Sequence, residues 1–202
     1  MKKYQVIILS FIMVLTACQF VSAQTDEKVT VPKQLDDVFD KGYVDISYTL
    51  TQTLTGAEKS VSTMEIKCKN SSTYRIEQVN SKNEKIVMVF TPQDCWTYNE
   101  KGDSVDVQKN NPDNDFKAIV KNATKITEGV DGKYTTYTLD SADKKTVNVI
   151  YVDAKENIVS KLIVKNPKGE TMSVNEISDL KRVKLDDSLF KMPEGKKIIE
   201  KK

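Results

Sequence analysis

The stretch VDISYTLTQTL, Val44 to Leu54, decides the architecture. Apolar Val44, Ile46, Tyr48, Leu50 and Leu54 alternate with polar Asp45, Ser47, Thr49, Thr51 and Thr53. A side-chain period of two sends successive residues to opposite faces, so this run is a long, half-buried strand. Working outward, the turn-like TGAE (55–58) leads to TMEIKCK (63–69), with Met64, Ile66 and Cys68 on one face. The runs TYRIEQV, KIVMVFT, CWTYNE and SVDVQ follow, separated by NSS, NSKNE, Pro92 with Asp94, and Gly102-Asp103. Beyond residue 123 the same grammar continues through ATKITEGV, GKYTTYTLD, KTVNVIYVD, NIVSKLIVKN, ETMSVNEIS and KRVKL. Polar, Gly- and Pro-bearing separators between short β-prone runs make hairpins. Ten or eleven strands in one domain imply a curled antiparallel sheet rather than a flat one.

Two segments read as helices. VPKQLDDVFDKG (31–42) has Pro32 in a first turn, Leu35, Val38 and Phe39 on one side, and Gly42 as a stop. NPDNDFKAIVKN (111–122) carries Phe116, Ile119 and Val120 on one face. Helices this short hold only when packed against a sheet. Some strands are apolar on both faces: Ile86, Met88 and Phe90 oppose Val87 and Val89, and Val147, Val149 and Tyr151 oppose Ile150 and Val152. One face therefore packs inward and the other needs its own cover. The fold expected is mainly β: an incomplete, curled antiparallel β-barrel whose concave face is plugged by short helices. Met64, Met88, Met172 and Met192, scattered among the strands, suit either core filling or an adaptable apolar pocket.

The N-terminus reads as an export leader. Lys2 and Lys3 precede the apolar run Val6 to Leu15, which is too short for a transmembrane helix. Two processing signals follow. Leu15-Thr16-Ala17-Cys18 is a lipobox, with Cys18 the residue to be lipidated, and Val21-Ser22-Ala23 before Gln24 is an ordinary signal-peptidase site. The organisation is thus a signal peptide over 1–23 (1–17 if a lipoprotein signal), an N-terminal segment and helix over 24–42, and a single β domain over 43–202. The product is exported, either periplasmic or membrane-anchored through Cys18, with a slight preference for the lipoprotein.

Composition narrows the function. The chain has 31 Lys+Arg against 29 Asp+Glu, and the leader removes two lysines, so the mature body is near neutral. That offers no electrostatic case for nucleic acid. There is no histidine anywhere, which removes the commonest general base, metal ligand and nucleophile partner together. No phosphate loop, GxSxG elbow or CxxC is present. The carboxylate groups in LDDVFD, DNDF and LDDS read as turn formers and caps, and the Lys-rich end GKKIIEKK as a solvated tail. The expectation is a monomer that is not an enzyme and carries no cofactor or metal. Cys68 and Cys95 are the body's two cysteines. In a simple meander they lie three strand positions apart, about 14 Å by the strand spacing, against a limit of about 7 Å for bridged Cα atoms. If Trp96 and Tyr98 point inward, Cys95 also points out. No disulfide is expected.

The run STMEIKCKNSSTYRIEQVNSKNEKIVMVFTPQDCWTYNE (62–100) resembles the central segment of the outer-membrane lipoprotein-sorting proteins, the LolA/LolB-like group. Trp96 and Tyr98 match its aromatic strand positions, and Gln93 or Asp94 stands near its Asp-Gly turn. Thr51 and Gln52 in VDISYTLTQTL resemble its first long strand. Phe190, Pro193 and Gly195 in VKLDDSLFKMPEGKKII resemble its closing element. The resemblance implies an incomplete barrel around a helical plug that binds lipoprotein acyl chains or other lipids, and transports them between membranes without catalysis. A membrane donor or acceptor complex would be the protein partner. Candidate lining residues are Ile46, Tyr48, Leu50, Met64, Ile66, Met88, Phe90, Trp96 and Tyr98. Cys68 stands where the best-known carriers place an arginine that latches the lid helices, so the same latch is not expected; Arg75 lies on the next strand, facing the polar side with Glu77. The alternative implied is a sensor or regulatory module of the same fold that binds a partner protein, as in RseB-like regulators, although those normally add a second domain. Cleavage after Ala23 would give a soluble carrier, lipidation of Cys18 an anchored receptor.

Overall fold

The computed structural model describes residues 29–55, 59–110, 117–142 and 144–201. The export leader, the TGAE turn from Gly56 onward and the first half of the second predicted helix lie outside the described residues.

A short helix α1 (Lys33–Asp37) runs on into a π-helical turn (Val38–Gly42). Six strands follow: β1 (Ile46–Leu54), β2 (Ser60–Asn70), β3 (Thr73–Val79), β4 (Lys85–Phe90), β5 (Asp94–Asn99) and β6 (Ser104–Lys109). Helix α2 (Ala118–Lys121) precedes β7 (Ala123–Asp131), β8 (Tyr134–Ser141), β9 (Val147–Asp153), β10 (Ile158–Lys165) and β11 (Thr171–Arg182). A 3-10 turn (Asp187–Phe190) and β12 (Lys197–Glu200) end the chain. The twelve strands among the described residues join one sheet in the order β12-β6-β5-β4-β3-β2-β1-β11-β10-β9-β8-β7, which does not close. Two meanders, β1 to β6 and β7 to β11, are stitched together by the β1–β11 pairing.

Two differences from the sequence reading come from strand pairing. ETMSVNEIS and the Lys181-Arg182 start of KRVKL form one strand rather than two, because the break between them is a bulge: Ser47 pairs with Lys181 and Thr49 with Ser178. Asp179 there takes a positive φ of 52°, a conformation that Asp tolerates better than most residues. The tail GKKIIEKK is not simply solvated. Lys197 to Glu200 pair in parallel with Ser104 to Val107 and cap that edge of the sheet.

The strands that are apolar on both sides receive cover on both. On the concave side, Leu35, Val38 and Phe39 of the plug pack with Ile46, Tyr48, Ile66, Ile150, Val152 and Ile158. On the convex side, the segment after β11 crosses back over β4 to β6, and Leu185 and Phe190 bury Val87, Val89, Trp96, Tyr98 and Val105. The Asp186 carboxylate starts the 3-10 turn by accepting from Ser188 N at 2.8 Å, so LDDS is a cap as expected. Lys69 Nζ donates to the Leu185 carbonyl at 3.2 Å, and Lys196 Nζ to the Glu100 carbonyl at 3.1 Å, pinning this strap at both ends.

Under the strap lies a buried ion cluster. Glu77, 6% exposed, accepts from Arg75 Nε at 2.6 Å and Lys67 Nζ at 3.0 Å, and also pairs with Lys85. Arg75 Nη1 donates to Tyr98 Oη at 3.1 Å and to the Leu189 carbonyl at 3.2 Å. Burial pushes the Glu77 carboxyl up, but hydrogen bonds from Lys85, Arg75 and Lys67 outweigh it and hold the group at about 2. Its folded value is below the unfolded 4.5, so its stabilisation is complete above that pH and is lost as pH falls through about 2. Urea titrations across this window should show that loss in the natural protein. Glu77→Gln, weakened by about 3–5 kcal/mol at neutral pH because it strands buried cations, should show a shallower acid limb. Parallel acid limbs would remove Glu77 from this role.

Candidate functional site

Strand register lays the concave face out in rungs. Ile46, Cys68, Tyr74, Phe90 and Cys95 face one another in sequence across β1 to β5. The next rung holds Tyr48, Ile66, Ile76 and Met88, and the one beyond holds Leu50 and Met64. Ile46, Cys68, Ile66 and Ile76 are wholly buried, Tyr48, Met64 and Met88 almost so, and Leu50 packs against the same cluster while staying partly accessible. Tyr74 and Phe90 stack with centroids 4.6 Å apart. Seven of the nine predicted lining residues (Ile46, Tyr48, Leu50, Met64, Ile66, Met88 and Phe90) are thereby brought together.

Trp96 and Tyr98 are not among them. Phe90 pairs with Cys95, so Cys95 takes the concave position, and its neighbours Trp96 and Tyr98 point to the convex face beneath Leu185 and Phe190. The predicted face of this strand is therefore reversed: the large aromatic pair serves the strap. The same register settles the cysteines. Both are free and buried, and they lie on one face, against expectation. They remain three strand positions apart, as expected, with the Tyr74–Phe90 stack between them. Burial pushes the Cys68 thiol up to about 12, with an opposing hydrogen bond from Tyr48, so it stays protonated and serves as an apolar filler.

The plug is held by a few specific contacts. Tyr137 Oη donates to Gln34 Oε1 at 2.9 Å, linking α1 to β8. Lys117, next to α2, pairs with Asp36 and Asp40. Lys41 pairs with Asp37 one turn away at 2.7 Å, so the carboxylates of LDDVFD are all engaged in ion pairs. Arg182 Nη1 donates to the Gly42 carbonyl at 3.3 Å. Gly42 itself comes so close to β10 that an added Cβ would collide with the Asn157 carbonyl oxygen and touch Ile158.

Along β1 the apolar rungs give way to polar ones. Gln52 pairs with Asn175 of β11, and Leu54 with Ser173. Gln52, Ser173 and Asn175 are 2%, 3% and 7% exposed, on the face that also carries Leu162 and Ile150. The sequence reading noted Gln52 only as a family match with Thr51 and passed over Ser173 and Asn175. The one signal was Gln52 standing in an apolar slot of the alternation that opens at Val44. Among the described residues no group of three or more His, Cys, Asp or Glu side chains could hold a metal ion, and no helix is long and apolar enough to cross a membrane.

No family model matches the chain, and no curated protein matches its sequence. Solved structures do resemble it. An uncharacterized conserved protein of Thermus thermophilus aligns with a TM-score of 0.60 and 12% identity over 84% of this chain and 98% of that one. MucB of Pseudomonas aeruginosa, solved in complex with MucA, aligns with a TM-score of 0.52 and 13% identity over 77% of this chain and 58% of that one. A LolA superfamily protein of Nitrosomonas europaea aligns more loosely, at 0.44 and 11% identity over 79% and 95%. The shared fold is the open, curled, mainly antiparallel sheet with a short helical plug that the sequence reading expected.

Gly42→Ala should loosen the plug. Forcing a methyl group against backbone costs about 1–3 kcal/mol, and each kcal/mol lowers Tm by about 2–4 °C for a chain of this size. Calorimetry of the variant checks this; an unchanged Tm would mean that the plug and β10 are not in tight contact.

Proposed function

We propose that the protein is exported and binds acyl chains of lipoproteins, or other lipids, against its concave face, for lipid or lipoprotein sorting or transfer. The observation that carries this is the stack of apolar rungs on a sheet that curls without closing, covered by one short plug. Hydrocarbon is bound by area, at about 0.8 kcal/mol for each methylene removed from water, so such a face needs no charged anchor. The lining set is Ile46, Tyr48, Leu50, Met64, Ile66, Met88 and Phe90. These side chains are covered by the plug and by each other, so a ligand enters by displacing α1. The polar contacts at Gln34, Lys117 and Arg182 are few, and the burial of Leu35, Val38 and Phe39 that displacement gives up is replaced by burial of the acyl chain. The proposed role needs no catalytic group, and a chain without histidine supports that reading.

Residues 43–202 would form the binding unit, behind a leader removed after Ala23 or after Ala17. In the second case lipidated Cys18 would tether an anchored receptor; in the first the product would be a soluble periplasmic carrier. A second reading is a regulatory module that binds a partner protein, supported by the likeness to MucB, which was solved with MucA bound. This chain spans 58% of the MucB chain.

Native mass spectrometry separates the two readings. A lipid of defined mass should leave with the purified protein, and the stripped protein should regain it from micelles. Met88→Gln, which places an amide on the second rung, should reduce uptake at least tenfold while near-ultraviolet circular dichroism stays native. A stripped protein with no affinity for acyl chains would overturn the carrier reading.

A further inference from the structure

Three buried polar side chains interrupt an otherwise apolar concave face, and two of them each keep one polar atom unpartnered. Gln52 Nε2 donates to Asn175 Oδ1 at 3.0 Å. That leaves Asn175 Nδ2 and, two residues along the same strand, Ser173 Oγ, with no hydrogen-bond partner among the described residues. Each such group forfeits its hydration at a cost of about 1–3 kcal/mol. Fixing the β1–β11 register would need only the Gln52–Asn175 bond, not the second amide hydrogen or the hydroxyl. With Asn175 Oδ1 turned to Gln52, the group left over is the amide N–H, which can donate.

Position gives this surplus a meaning. β1 presents Ile46, Tyr48 and Leu50 in turn before Gln52. By the strand repeat the run from Ile46 to Gln52 covers about 20 Å, and Ser173 and Asn175 stand about 7 Å apart. Leu162 lies beside Asn175, and Val164 and Leu54 beside Ser173. A hydrocarbon stripe therefore ends in two neutral donors whose register neighbours, Leu162, Val164 and Leu54, are apolar. That is the complement of an acyl chain ending in a carbonyl, not of a bare alkyl chain or of an anionic headgroup. We propose that Asn175, with Ser173 beside it and Gln52 holding its amide in place, forms a polar subsite that hydrogen-bonds the carbonyl of an ester- or amide-linked acyl chain. This rests on the acyl-binding reading above and sharpens its substrate class.

The test uses the full mature chain, stripped of lipid, and three probes: 1-palmitoyl lysophosphatidylcholine, its 1-hexadecyl ether analogue, which lacks the carbonyl, and a short peptide N-palmitoylated at its amino terminus. One neutral hydrogen bond should make the ester bind about fivefold tighter than the ether. Asn175→Leu should bring the ester-to-ether ratio to about one by weakening the ester and not the ether. Ser173→Ala, a smaller change that protects the test against misfolding, should reduce the ratio part-way. A preference for the ester assigns the subsite to glycerolipids, and a preference for the palmitoyl peptide to lipoprotein amides. Equal binding of ester and ether by the natural protein, or a ratio unchanged in both variants, overturns the subsite while the acyl-binding reading stands. Failure of all three probes to bind overturns both.

Discussion

Strand β4 is apolar on both faces, and the rest of the molecule is arranged around that constraint. Met88 and Phe90 require one cover, Val87 and Val89 another. A single sheet cannot supply both, so the chain spends its two ends on them: the plug before β1 closes the concave side, and the strap after β11 closes the convex side. The ion cluster of Glu77 with Arg75, Lys67 and Lys85 sits where strap and sheet meet. Arg75 binds the strap's backbone at Leu189 as well as Glu77, so the charge network fixes where the strap lies as well as holding it down.

The two covers differ in kind. The strap brings its own apolar side chains, terminal pins at Lys69 and Lys196, and a parallel strand that joins the sheet. The plug is one short helix with a π-helical turn, a form often found where function requires adjustment. Besides the buried Leu35, Val38 and Phe39, it is held by a tyrosine–glutamine bond, a lysine between two aspartates, an arginine on the Gly42 carbonyl and a glycine pressed on β10. A ligand that displaces one cover and leaves the other in place would take the concave side, where the apolar rungs and the unspent donors lie.

Much of the fold was legible because period-two alternation is a strong local signal, and the separators named nearly every hairpin. The strap's existence was implied by β4, since a doubly apolar strand announces a missing cover without saying where it comes from. What the sequence hid was non-local. The bulge at Asp179 depends on β1 pairing with β11, far along the chain, so its KRVKL continuation read as a separate strand. The facing of Trp96 and Tyr98 turned on a one-residue phase between β4 and β5, and large aromatics looked like lining when they are roof supports. Gln52 was visible as a fault in the alternation, but its partner Asn175 lies 123 positions away, and only the fold joins them.

The strap also sets an order of events. Val87, Val89, Trp96 and Tyr98 emerge about a hundred residues before Leu185 and Phe190, the side chains that bury them. Contacts separated this far close late, and partly formed sheets with bare apolar faces are prone to stick to one another. A nascent chain therefore carries an uncovered hydrophobic outer wall until its final segment arrives. Whatever receives it during synthesis has to shield that wall, and a truncation within the final segment would leave a sheet able to pair and yet unable to stay dissolved.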